Sequence, residues 1–138
     1  MMRLPVCLLL AALLAACSST SLHDESAAAR AADAAAARAL AASAPPPGEP
    51  LPPWLAAQRT RIAAAREGAT QRFDVAEKAC WQRFAVNACV RAARAERRTV
   101  LDRLRQEELA VNEVERQRRT DARLRELEDK PGARSSTP

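Results

Sequence analysis

From Trp54 to Lys130 the chain contains no proline, and its apolar residues recur at helical spacing. One stripe runs through Leu55, Ile62, Ala65, Ala69, Phe73, Ala76 and Cys80, with gaps of 7, 3, 4, 4, 3 and 4. A second runs through Cys89, Ala93, Val100, Leu104, Val111 and Val114, with gaps of 4, 7, 4, 7 and 3. Leu124 and Leu127 would prolong it. Gaps of three and four place side chains on one face of an α-helix. Gly68 is the one interruption of the first segment, and Lys130-Pro131-Gly132 stops the second before a polar tail. Two long helices are therefore expected within residues 54–129, followed by a disordered tail over 130–138.

Upstream, Pro45-Pro46-Pro47-Gly48-Glu49-Pro50-Leu51-Pro52-Pro53 must end any helix and reads as a stiff polyproline spacer over residues 45–53. Before it, Ala27 to Ala42 is nearly all alanine, broken by Arg30, Asp33 and Arg38. Alanine is the best helix former but has little to bury, so residues 27–44 are expected to form a marginal helix. The same poverty marks the whole chain. Aromatics are 3% of it (Trp54, Trp81, Phe73 and Phe84), and half of its apolar residues are alanine. At about 25 cal/mol per Å² of buried apolar surface, such a chain builds shallow helix contacts and no deep core.

The first residues carry an address. Met1-Met2-Arg3 is a short positive start, and Leu4 to Leu14 is an apolar stretch of 11 residues broken only by Pro5. A transmembrane helix needs roughly 20 residues, so this length suits a signal-peptide core. Leu14-Ala15-Ala16-Cys17 then gives an aliphatic residue, two small ones and a cysteine. That run resembles the lipobox of bacterial lipoproteins. The resemblance implies cleavage before Cys17 and a diacylglyceryl group, with palmitate-like chains, on its sulfur. A thiolate is nucleophilic enough for that alkylation. Residues 1–16 are then a signal peptide, and 17–26, which include His23, a lipidated polar tether. One acyl chain binds a membrane marginally, whereas two or three give a stable anchor. Ser18 in place of Asp favours the outer membrane over the inner, with the protein facing the periplasm.

Processing of this kind also assigns the four cysteines. Cys7 leaves with the signal, Cys17 becomes a thioether, and Cys80 and Cys89 remain as a pair in an oxidising compartment. A disulfide is the expected outcome. On one continuous helix the two would lie about 13.5 Å apart along the axis, whereas a disulfide needs Cα atoms within roughly 7 Å. The chain must reverse between them, with a turn near Phe84 to Asn87. The resulting fold class is all-α: a disulfide-stapled antiparallel helical hairpin, like a short coiled coil, with an Ala-rich N-terminal helix on a Pro-rich linker. With Cys80 facing Cys89, Ala76 meets Ala93, Ala69 meets Val100, Ala65 meets Leu104 and Leu55 meets Val114. Ile62 falls opposite Glu107, a poorer match. A metal site would want ligands beyond these cysteines, and the single histidine, His23, lies past the linker. A redox-active pair usually has two intervening residues instead of eight. Residues 75–120, with this pair, also resemble small exported helical proteins of proteobacteria. That likeness implies a helical hairpin and brings no activity with it.

Arg91, Arg94, Arg97, Arg98, Arg103 and Arg105 open the second helix, ahead of Glu107, Glu108, Glu113 and Glu115. Their plain reading is a solvated face laced with ion pairs such as Glu115 to Arg119. Their functional reading is an anion-binding or partner-binding surface. Trp81 and Phe84 flank the turn and either cap the hairpin end or form an exposed contact tip. Trp54 is expected to pack from the first helix onto the second. The net charge of +5 would suit nucleic acid in the cytosol, but export puts the arginines elsewhere, so no nucleic-acid partner is expected.

No phosphate loop, serine–histidine pair or paired carboxylates in a pocket can be traced, so neither an enzyme nor a cofactor is expected. The expected role is a membrane-anchored envelope module, structural or protein-binding, whose partner is another envelope protein or a second copy. The alternative is a cationic binder of phosphorylated lipids or acidic cell-wall polymers.

Overall fold

The computed structural model describes residues 20–130. The lipobox Leu14–Cys17, the signal segment 1–16 and the tail from Pro131 onward lie outside the described residues. Two units divide the chain, Met1–Asp33 and Ala34–Pro138. Of the first, the described part is the opening half of helix α1. The second holds the end of α1, then α2 and α3.

Helix α1 spans Thr20–Ala42. It begins ahead of the alanine run and takes in most of the stretch expected as a tether, because alanine propensity accumulates over every turn. It ends where Ser43 turns its hydroxyl back to the Leu40 carbonyl at 2.7 Å, ahead of Pro45. The linker that follows is not an extended polyproline rod. Glu49 N–H donates to the Pro46 carbonyl at 3.2 Å, and Gly48 sits at φ 104°. Proline then glycine in the two central positions is the type II turn requirement. Arg118 also donates a hydrogen bond from Nη2 to the Pro45 carbonyl, tying the linker to α3.

Helix α2, Pro52–Cys80, starts on Pro52 and Pro53, whose fixed φ suits the first turn and whose missing N–H groups have no helical partner there to lose. Helix α3 is longer, Val86–Asp129. Lys130 takes an extended conformation, as the residue before a proline must. The two helices form the expected antiparallel hairpin, closed by a Cys80–Cys89 disulfide with Cα atoms 5.5 Å apart. The all-α class and the staple are both present.

The hairpin's core is thin. Leu55, Ile62, Leu104 and Val111 are buried together, with Leu40, Leu51, Trp54, Ala65 and Val100 packed around them. Trp54 thus packs as expected. Ile62 does not face Glu107, as the simple register had it. Its neighbour Arg61 takes Glu107 at 2.7 Å, and Ile62 turns inward to 3% exposure. Nor do Leu124 and Leu127 extend the core stripe. They are 53% and 60% exposed, because α2 begins too late to lie opposite them. Asn87 is not part of the turn. It lies inside α3, and Ala85 stands at the cap position without a side-chain hydrogen bond.

Candidate interaction surfaces

Three surfaces follow from this frame: the staple-closed tip, a groove above it between the helices, and the ion-paired flanks. The flanks set the register. Arg59 meets Glu115 at 2.5 Å, Arg61 meets Glu107 at 2.7 Å, and Arg94 meets Glu77 at 3.6 Å. Arg66 grips Glu108 with both ends of its fork, at 3.3 and 2.6 Å. This bond holds the Glu108 carboxyl below its ordinary pKa, and Arg105 adds a smaller Coulombic pull against the cost of burial. The Arg66 guanidinium is raised by the same bond. Glu115 also forms an ion pair with Arg119 at 3.4 Å, as expected for that i,i+4 pair, so it joins α2 to two turns of α3.

The six arginines at the start of α3 do not make one surface. Arg94 is paired with Glu77, and Arg103 stands 4.0 Å from Glu107. Arg105 acts on Glu108. Arg97 turns inward and lies over the Phe73 ring, 4.2 Å from its centroid. Arg91 and Arg98 are exposed and form no ion pair among the described residues. Helix geometry explains this division. Position 97 falls on the stripe of Val90, Leu104 and Val111, at steps of seven, so its side chain starts from the core face.

Arg97 and Phe73 line a groove of about 540 Å³ between α2 and α3. Ala76, Ala79, Ala93 and the exposed Val75 form part of its lining. The expected meeting of Ala76 with Ala93 leaves open space, since two methyl groups do not fill the gap between helices. The sequence marked these positions as core. It carried no sign that Arg97 would supply the missing bulk.

At the tip, Trp81 is 65% exposed and Phe84 fully so, at 109%. They therefore do not cap the hairpin; they project from it. The turn behind them is well tied: Gln82 N–H donates to Ala79 and Arg83 N–H to Cys80, at 3.3 and 3.0 Å. Beside the turn, a depression of about 180 Å³ lies between Glu77, Trp81, Val86, Val90, Arg91 and Arg94.

Among the described residues no group of three His, Cys, Asp or Glu side chains could hold a metal ion. No described helix is long and apolar enough to cross a membrane. Comparison with protein-family models, with curated proteins and with solved structures returned no match.

Proposed function

We propose that this chain is an exported, lipid-anchored and non-enzymatic module of a bacterial envelope, whose hairpin binds another protein chain, a second copy of itself before any other. The signal-like first residues and Cys17 support the address. The observation that carries the binding role is the bare end of α3. From Arg119 to Lys130 every residue is exposed, Leu124 and Leu127 included. These leucines lie one turn apart on one face. Arg116 and Arg123 border that face on one side, and Asp121 and Glu128 on the other. This is the arrangement in which two parallel helices place each basic row against the other's acidic row. A hairpin with so few buried side chains also gains most from a further surface.

Sedimentation of the detergent-solubilised protein tests the self-association. It should weaken on Leu124→Glu with Leu127→Glu, while helix content holds. A wild-type protein that stays monomeric at high micromolar concentration would remove the reading. The anchor is tested separately by mass spectrometry of Cys17. An unmodified thiol on a chain still beginning at Met1 would withdraw the envelope address.

A further inference from the structure

We infer that the stapled tip is a docking point for an anionic phospholipid bilayer, with Trp81 and Phe84 entering the interfacial layer and the surrounding cations meeting lipid phosphates. Large aromatic side chains are ordinarily buried, since each removes a large apolar area from water. Here two of the chain's four aromatics stand in water at the turn between α2 and α3. They are held there by the Cys80–Cys89 bond and by backbone hydrogen bonds on both sides of the turn, including Cys89 N–H to the Ala85 carbonyl at 3.1 Å. Such a loop loses little further freedom on docking.

The charge around it is mostly positive; Glu77, in the same depression as Trp81, is paired with Arg94 at 3.6 Å. Between Glu77 and Glu96 there is no carboxylate side chain, while Lys78, Arg83, Arg91 and Arg94 are all present and exposed. Of these, only Arg94 has an ion-pair partner among the described residues. Indole and phenyl rings with neighbouring cations match the layered chemistry of a membrane surface. Amphipathic aromatics sit at headgroup level, and Lys and Arg are drawn to anionic lipid. The depression of about 180 Å³ beside Trp81 offers a phosphate-bearing headgroup the unpaired guanidinium fork of Arg91 and an aromatic wall, with Arg94 in the same lining held by Glu77. An acidic protein would satisfy the cations equally well. It would normally also offer a concave seat for the rings, and the convex tip itself asks for none.

The test uses the full chain carrying Trp54→Phe, so that Trp81 is the sole indole, in vesicles of neutral lipid alone or with one-third anionic phospholipid. A lipid on Cys17 would anchor the protein equally in both, so this readout stands apart from the anchor and from self-association. Trp81 emission should shift to the blue, with quenching by brominated lipid, in anionic vesicles only. Raised salt should reverse both the shift and the quenching. Lys78→Glu with Arg83→Glu should abolish the shift with unchanged circular dichroism. Arg91→Ala, which leaves the loop intact, should reduce it. Equal Trp81 signals in neutral and anionic vesicles would overturn the proposal. So would a blue shift produced by polyglutamate and not by anionic vesicles, which would make the occupant an acidic protein.

Discussion

Arg97 lays its guanidinium 4.2 Å from the centroid of the Phe73 ring, and its Nε is buried with no hydrogen-bond partner. The contact and the orphaned donor work against each other. A cation over an aromatic ring gains about 0.5 to 2 kcal/mol. A buried N–H without an acceptor costs roughly 1 to 3 kcal/mol. The pair therefore packs the hairpin without strengthening it much. Arg97→Met should change stability by less than about 1 kcal/mol, because an apolar chain of similar length keeps the packing. Phe73→Ala should cost about 3 kcal/mol. Urea unfolding followed by circular dichroism compares the two directly, and equal losses would contradict this division.

The staple closes a short loop at the only reversal of the hairpin, so it acts mainly on the unfolded chain. Cys80→Ala with Cys89→Ala should lower stability by roughly 2.5 to 3 kcal/mol in the chain-entropy description. Reductant should lower the thermal midpoint of the wild type and leave that of the double variant unchanged. A midpoint insensitive to reductant in both would show that the staple contributes nothing to stability.

The helices and their reversal were legible because periodicity and cysteine spacing are local signals. What was hidden depended on whether anything lay opposite. Leu124 and Leu127 have the spacing of buried residues, but α2 starts at Pro52 and cannot reach them. Ile62 looked mismatched only under a rigid one-to-one register. A small shift lets Arg61 take Glu107 and frees Ile62 to pack with Leu104 and Val111. Trp81 and Phe84 could have capped the hairpin or left it, and composition does not distinguish those outcomes. The turn at Gly48 was concealed by its prolines, which suit an extended segment and a type II turn equally.

The Arg66–Glu108 fork predicts how acid acts. The bond to Arg66 holds the folded carboxyl below its ordinary value, which in the unfolded chain is about 4.3. The contribution is therefore fully present above that value and is lost as pH falls through the lower, folded pKa. Glu113 is lowered likewise, first by its hydrogen bond to Arg116. Side chains at 38% and 43% exposure are screened by water, so the Arg66–Glu108 pair should add at most about 1 kcal/mol. Thermal midpoints should be level from pH 8 to about 5 and drop below about 4. In Glu108→Gln the drop should be shallower. An identical acid profile in wild type and variant would show that the fork is not felt.

Two glycine-to-alanine changes should move stability in opposite directions. Gly68 lies inside α2, where a Cβ would meet only the flexible end of Arg72, at 3.4 Å. Alanine there reduces the freedom of the unfolded chain and suits the helix, so Gly68→Ala should raise stability by about 0.5 to 1 kcal/mol. Gly48 has open space around it but a φ of +104°, which side-chain-bearing residues rarely adopt. Gly48→Ala should therefore cost roughly 1 to 2 kcal/mol, if the turn is coupled to folding. The Arg118 bond to Pro45 supplies that coupling, because it joins the linker to α3. Arg118→Ala should then blunt the effect of Gly48→Ala in a double-mutant cycle. If the two changes are additive, the linker folds independently of the hairpin and the coupling is absent.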